Sequence, residues 1–238
     1  MAPTIEELAE DAMAYLLPSP TFEPLERDGY VYVAGQVSAW IVRIRRVDVE
    51  AVRDEARRRE AKRVEWWLGW SAPPGAEREL LDAGFRPDEV PTLTGMTCVA
   101  EPPAAHGIEI RAATPEELVA LEHTVWGGEP NPLPVPSDVE NHFAALLDGR
   151  VVGTARAVDM PNAVALMGGV VLPEARRRGV YRALVHARWE HAVRRETPCL
   201  VVQAGAMSAP VLDGLGFVRH GELRLFVDTG VASGHGDD

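Results

Sequence analysis

The strongest constraint on the fold lies in residues 163–195. The segment AVALMGGVVL is almost continuously apolar, as expected of a central strand covered on both faces. It runs through LPEARRRGVYRAL (172–184) into a stretch where Tyr181, Leu184, Val185, Trp189, Ala192 and Val193 recur at three- and four-residue intervals. That spacing predicts an amphipathic helix over Arg177–Arg195. A buried strand feeding such a helix through a short turn restricts the chain to the α/β class.

The surrounding sequence extends this unit. IEIRAA alternates like a strand, and Thr114 with Glu117, followed by Pro115, reads as the capped start of a helix. GGEPNPLPVPSD (127–138) is a proline-rich loop, and a short helical patch is expected after it. Asp148-Gly149 then marks a tight hairpin between two β-like runs. CLVVQA reads as a strand, SAPVLDGL as a helix from Ser208 that Gly216 stops, and FVRHGELRLFVD as a final strand or hairpin. The order β α (α) β β β α β α β implies a mixed sheet flanked by helices.

The first half repeats the later part of that order more weakly. A capped helix starts at Thr4 with Glu7, YVYVAGQVSAWIVRI gives two strands, and DVEAVRDEARRREA gives a helix. VEWWLGW, GAERELLDAGF and LTGMTCVA read as strand, helix and strand. LLDAGF (80–85) echoes VLDGLGF (211–217), which suggests an internal duplication. EPPAAHG (101–107) lacks apolar periodicity and reads as the connection, so the expected division is 1–104, 105–230 and a disordered tail, 231–238.

Composition limits the partners. With 36 acids against 24 bases the formal net charge is −12, which argues against nucleic-acid or anionic-membrane binding. No apolar run has membrane-spanning length, and the first residues carry acids where a secretory signal carries bases, so the expected compartment is the cytoplasm. Cys98 and Cys199 sit singly in apolar runs without metal-ligand spacing and read as small buried hydrophobes; no metal is expected. Between Arg43 and Arg63, acids are interleaved at helical spacing, Asp54 with Arg58 and Glu55 with Arg59, as on a solvated, ion-paired face. Trp66, Trp67 and Trp70 put bulk on both faces of a strand, which points to burial against the second domain or a partner subunit and leaves a homodimer open.

The cationic turn of an acidic chain therefore serves something local. First-turn amides of a helix lack intrahelical partners and carry the positive end of the dipole, so they suit a phosphate. Gly179 lets backbone approach a ligand, and Arg176, Arg177, Arg178 and Arg182 surround it with charge. Neither a Walker lysine nor GxGxxG is present.

VVLPEARRRGVYRALVHA resembles motif A of the GNAT superfamily of acyl-CoA-dependent N-acyltransferases, with a strand ending in Val-x-Pro and an R/Q-x-x-G-x-G/A turn opening the main helix. APVLDGLGF resembles the family's later helix, and IEIRAATPEELVALE its opening strand and helix, so the likeness covers about 107–228. It implies a GNAT-like α/β mixed sheet, with the first half a smaller degenerate copy whose helix opens on acids and lacks the glycine. It also implies that Arg176 and Gly179 match the motif, that amides of Arg177, Arg178, Gly179, Val180, Tyr181 and Arg182 cradle the pyrophosphate of acetyl-CoA, and that Val170 and Val171 hydrogen-bond the pantetheine. Tyr181 stands where the motif has Gly or Ala, and either packs over the cofactor or faces the core. The tyrosine that many members use to protonate the thiolate aligns with Leu212. Ser208 either contacts pantetheine or thiolate, or caps its helix.

The implied reaction is direct attack of a neutral amine, from a small molecule or a peptide, on the thioester. The amine must lose a proton first. Glu122, His123, Glu129 and Asp159 are positional candidates for that base, each also readable as a surface charge, and the loop Gly127–Asp138 is the expected acceptor lid. The rival reading is a non-catalytic acyl-CoA-binding regulatory module, and a weaker one is a nucleotide-phosphate binder.

Overall fold

The computed structural model describes residues 3–228, and the tail expected to be disordered lies outside them. In the first half the elements are α1 (Ile5–Glu10), a 3-10 turn (Ala12–Tyr15), β1 (Phe22–Arg27), β2 (Tyr30–Gly35), β3 (Ser38–Val42), α2 (Val49–Arg58), β4 (Arg63–Leu68), α3 (Ala76–Asp82) and β5 (Arg86–Cys98). The second half supplies β6 (Glu109–Ala112), α4 (Pro115–Trp126), β7 (Glu140–Leu147), β8 (Arg150–Asp159), β9 (Val164–Val171), a 3-10 turn (Pro173–Ala175), α5 (Val180–Arg194), β10 (Leu200–Ala204), α6 (Ala209–Asp213) and β11 (Val218–Val227). The run β1-β2-β3-α2-β4-α3-β5 has the same order as β7-β8-β9-α5-β10-α6-β11.

Contacts divide the chain into two compact units. One holds the residues up to Met96 together with Gln203–Pro210 and the chain from Arg219; the other holds Thr97–Val202 and Val211–Val218. The first unit has the strand order β1-β2-β3-β4-β11-β5, and the second runs β10-β9-β8-β7-β6. The C-terminal strand thus joins the first unit, pairing antiparallel with β4 from Arg224↔Leu68 to Val227↔Glu65.

Local chemistry sets most element ends. Thr4/Glu7 and Thr114/Glu117 both form reciprocal capping boxes, with Pro115 in the first helical turn. Asp148 (φ 51°) and Gly149 (φ 75°) both adopt left-handed backbone between β7 and β8, as the twist of a two-residue hairpin demands. The internal echo is also structural. Phe85 N–H donates to the Leu80 carbonyl at 2.9 Å and Phe217 N–H to Leu212 at 3.1 Å, each across a left-handed glycine, Gly84 (φ 95°) or Gly216 (φ 88°).

Two expectations needed correction. The helical patch after the proline-rich loop is instead the start of β7, where Glu140↔Val158 and Asn141↔Ala157 pair with β8; cross-strand bonding overrides four residues of helical pattern. β1 was not legible in FEPLER, because Pro24 and three charges mask it. It is a terminal strand of its sheet, and an edge tolerates proline.

In the first unit, Tyr32, Ile41, Val52, Trp66, Leu80 and Phe226 belong to one buried cluster. Trp66 is fully enclosed and meets Phe85 edge-on at 6.1 Å. Trp66 is therefore buried inside its own unit, not against another domain or subunit as expected, while Trp67 donates Nε1–H to Glu65 at 3.0 Å and Trp70 stays 40% exposed. The ionic face of α2 forms as expected for Glu55, which accepts from Arg59 at 2.7 Å and also from Arg58 and Arg27, both at 2.9 Å. These donors hold its carboxyl down to about 2. Asp54 pairs with Arg57 and not Arg58. Both cysteines are buried, and burial pushes the Cys199 thiol up to about 11.

Asp11 opposes the stability of this unit at neutral pH. It is buried and accepts from Arg43 N–H at 2.8 Å, yet burial, and then the neighbouring Glu10 charge, raise its carboxyl from 3.8 to about 6. Because the folded value lies above the unfolded one, the contribution to stability is complete below about pH 4 and is lost as pH rises through 6. Asp11→Asn keeps an acceptor for Arg43 and is expected to stabilise the protein by on the order of 2 kcal/mol at pH 7, with little effect at pH 4. Chemical denaturation at the two pH values checks this; equal effects at both would remove the explanation.

Candidate active site

β9 combines three irregularities that ordinary strands lack. Its parallel pairing with β10 consists of Leu200↔Val164 and Val201↔Ala165 only. From Leu166 to Val171 the edge facing away from β8 has no ladder partner among the described residues, so the two strands part towards their C-terminal ends. Opposite β8 the register passes from Thr154↔Val170 to Arg156↔Met167, a bulge. Gly168 turns it with φ 54°, and a Cβ there would stand 3.0 Å from Glu122 Oε1. At Gly169 a Cβ would meet the Tyr181 ring at 3.0 Å; β9 therefore lacks side chains where α4 approaches with Glu122 and α5 with Tyr181.

Beyond β9 the chain makes the turn Pro173–Ala175, Arg177 takes φ 62°, and Gly179 (φ 86°) is the N-cap of α5 without any side-chain cap. Ala183 N–H closes the first helical bond on the Gly179 carbonyl at 2.9 Å. Among the described residues, the amides of Arg177, Arg178, Gly179, Val180, Tyr181 and Arg182 have no backbone acceptor. Arg176, Arg177, Arg178 and Arg182 are exposed around them, and Arg176 Nε donates to the Val171 carbonyl at 3.3 Å. Such a row of amides with convergent guanidinium groups can hold a doubly charged phosphate group. α2 in the first unit offers no counterpart: its N-cap Asp48 turns its own carboxylate onto the Ala51 amide at 3.2 Å.

The candidates for acid and base fall in different surroundings. Glu122 on α4 is buried, accepts at both carboxylate oxygens from the one nitrogen Nη2 of Arg156 at 2.7 and 2.8 Å, and is reached by Asn131 of the proline-rich loop at 3.4 Å. Asp159 is buried between His191 Nε2 at 2.8 Å and Arg195 Nε at 2.9 Å. His123 and Glu129 are exposed. Ser208 is assigned to the first unit, and its hydroxyl donates back to the Gly205 carbonyl at 3.2 Å. Leu212 is fully buried, so no proton donor stands at that position. Trp126, Leu133 and Val135, in and beside the loop Gly127–Asp138, are exposed apolar side chains.

Sequence reasoning passed over one group opposite Arg156, the partner of Glu122. His142 on β7 stands opposite Arg156 on β8, and its Nε2, like Arg156 Nε and Thr154 Oγ1, is buried without a hydrogen-bond partner. Burial, and then the Arg156 charge, lower its pKa below 6.5. The available signal was the position of a histidine two residues from Glu140 on a strand, which distinguishes nothing without the neighbouring strand.

The second unit thus combines a mixed sheet whose two parallel strands diverge with a helix mouth lined with unpaired amides, an arrangement with room for an extended, phosphate-bearing ligand. Residues 115–211 match the model of the acetyltransferase (GNAT) family, so this stretch is a GNAT acetyltransferase domain and the protein is an acyltransferase. Similar folds include a GCN5-related N-acetyltransferase from Kribbella flavida, with TM-score 0.65 and 15% identity over 97% of each chain. Another, from Sphaerobacter thermophilus, has TM-score 0.55 and 17% identity over 87% of this chain and 75% of that one. A tandem GNAT protein from the clavulanic acid biosynthesis pathway matches 95% of this chain and 88% of its own, at TM-score 0.51 and 14% identity, in keeping with a degenerate GNAT-like first half. No curated protein matches the sequence. Among the described residues no helix is long and apolar enough to cross a membrane, and no group of three or more His, Cys, Asp or Glu could hold a metal ion.

Proposed function

We propose that the protein transfers the acetyl group of acetyl-CoA to a primary amine of a small molecule or peptide, by direct attack within a ternary complex in the cytoplasm. The observation that carries this reading is the open edge of β9 leading to six unpaired amides at the mouth of α5. In this reading the amides from Arg177 to Arg182 hold the pyrophosphate, and Arg176, Arg177, Arg178 and Arg182 add charge. Backbone groups of Val170 and Val171 hold the pantetheine, and an amide there polarises the thioester carbonyl as charge develops on its oxygen. Tyr181 lines the same approach with its ring against Gly169. Residues 105–230 carry the chemistry, and residues 1–104 serve as a degenerate copy without a phosphate seat.

Of the acid-base candidates, Glu122 is the one beside the β9 bulge, where with Arg156 it shapes the acceptor side under the loop Gly127–Asp138. Asp159 supports His191, and the Ser208 hydroxyl is engaged with the Gly205 carbonyl. The test is thiol release from acetyl-CoA in the presence of a panel of primary amines, with binding followed by calorimetry. Amine-dependent release is expected; binding without turnover across the panel would favour a regulatory acyl-CoA-binding module, and a thermal shift with ATP at least as large as with CoA would favour a nucleotide site.

A further inference from the structure

The α4 side of the β7-β8-β9 sheet holds a polar group of residues in a place where a core would ordinarily be apolar. His142, Arg156 and Met167 lie in one row across three neighbouring strands, since His142 pairs with Arg156 and Arg156 with Met167. The next residue of β9 is Gly168, from whose Cβ position Arg156 Nε would be 3.3 Å away and Glu122 Oε1 3.0 Å. Glu122 is satisfied by Arg156 and Asn131. His142 Nε2, Arg156 Nε and Thr154 Oγ1 are not: each is buried and has no partner. Three such atoms on adjacent strands are costly unless a polar ligand meets them; Thr154 and Arg156 flank the bulge where the acetyltransferase reading puts the thioester, and His142 stands directly across from Arg156.

On that reading, we propose that His142 is the general base that takes the proton from the acceptor ammonium. Neutral His142 accepts one proton at Nε2 and leaves a neutral amine. The amine nitrogen forms the new bond to the acyl carbon, the carbon–sulfur bond breaks, and the electron pair of that bond leaves on the thiolate. The second amine proton ends on the thiol, and imidazolium returns its own proton to solvent. The charged groups on this side are Arg156 from β8 with its partner Glu122 from α4, Glu140 two residues away on the same strand, and from β6 Arg111, which lines one cavity with His142 and is paired with Glu117 of α4 at 2.6 Å; Ala113 N–H donates to the His142 carbonyl at 3.0 Å. Burial and Arg156 both favour the neutral imidazole that a base requires.

The test compares the full-length protein with His142→Gln and His142→Asn, using acetyl-CoA and the best amine of the panel, or the slow hydrolysis of acetyl-CoA if no amine is taken. Both variants are expected to bind CoA within about threefold of the parent, which also reports that they fold, and to lose about 100-fold or more in kcat, the lower end of what a general base supplies. With an amine acceptor, raising the pH should restore much of the loss, because the free amine then forms in solution. Turnover within threefold of the parent at neutral pH, with CoA affinity retained, would overturn the assignment to His142. Loss of CoA binding by the parent itself would instead overturn the acetyltransferase reading on which it rests.

Discussion

Gly179→Val is expected to weaken acetyl-CoA binding by about 100-fold, roughly 2.7 kcal/mol, while the protein remains folded. The residue holds φ 86° as the N-cap of α5, a conformation that a β-branched residue resists. Relief of that strain must rotate the peptide planes on either side, and those planes carry the amides of Gly179 and Val180. A new Cβ would meet Ala105 Cβ at an ordinary 3.5 Å, so crowding adds little and the effect falls on amide direction. Exposed arginines around the turn contribute a term that salt screens, whereas convergence of amides does not fade in the same way. The affinity loss should therefore persist at high ionic strength. Calorimetry with CoA at low and high salt measures it, and a Kd within threefold of the parent would remove the phosphate seat from α5.

The second large effect concerns stability. Arg156→Ala is expected to destabilise the protein by about 3–5 kcal/mol, because it strands the Glu122 carboxylate, whose side chain is only 4% exposed, beside the β9 bulge. Asn131 alone, at 3.4 Å, is a weak substitute. Replacing both residues together, Glu122→Leu with Arg156→Leu, should recover much of the loss, since the penalty belongs to the unpaired charge more than to the missing attraction. Urea unfolding of the two single variants and the double variant measures the coupling. If Arg156→Ala costs less than about 1 kcal/mol, the ion pair is not the buried contact that the geometry shows.

Much of the architecture was legible along the chain because it is local. The capping boxes at Thr4 and Thr114, the Asp148-Gly149 hairpin and the paired Gly-Phe endings are each written within a few residues, and their hydrogen bonds close over the same span. The unpaired amides at the mouth of α5 were legible for the same reason: glycine, arginines and helix start lie in one short run. The helical patch before β7 and the missed β1 failed where pairing with another strand outweighed local pattern. His142 failed likewise, since its meaning depends on Arg156, fourteen residues away in sequence and directly across the sheet.

The sequence by itself determined the α/β class, most of the elements and the amide-rich helix mouth, because backbone geometry and capping act over neighbouring residues. Only the tertiary structure decided that β11 pairs with β4, that β9 parts from β10, and that Arg156 is paired with Glu122 and stands opposite His142. Strand pairing and buried charge are settled by whichever distant segment can satisfy the exposed backbone and the unpaired groups, and a linear chain does not carry that choice in any single stretch.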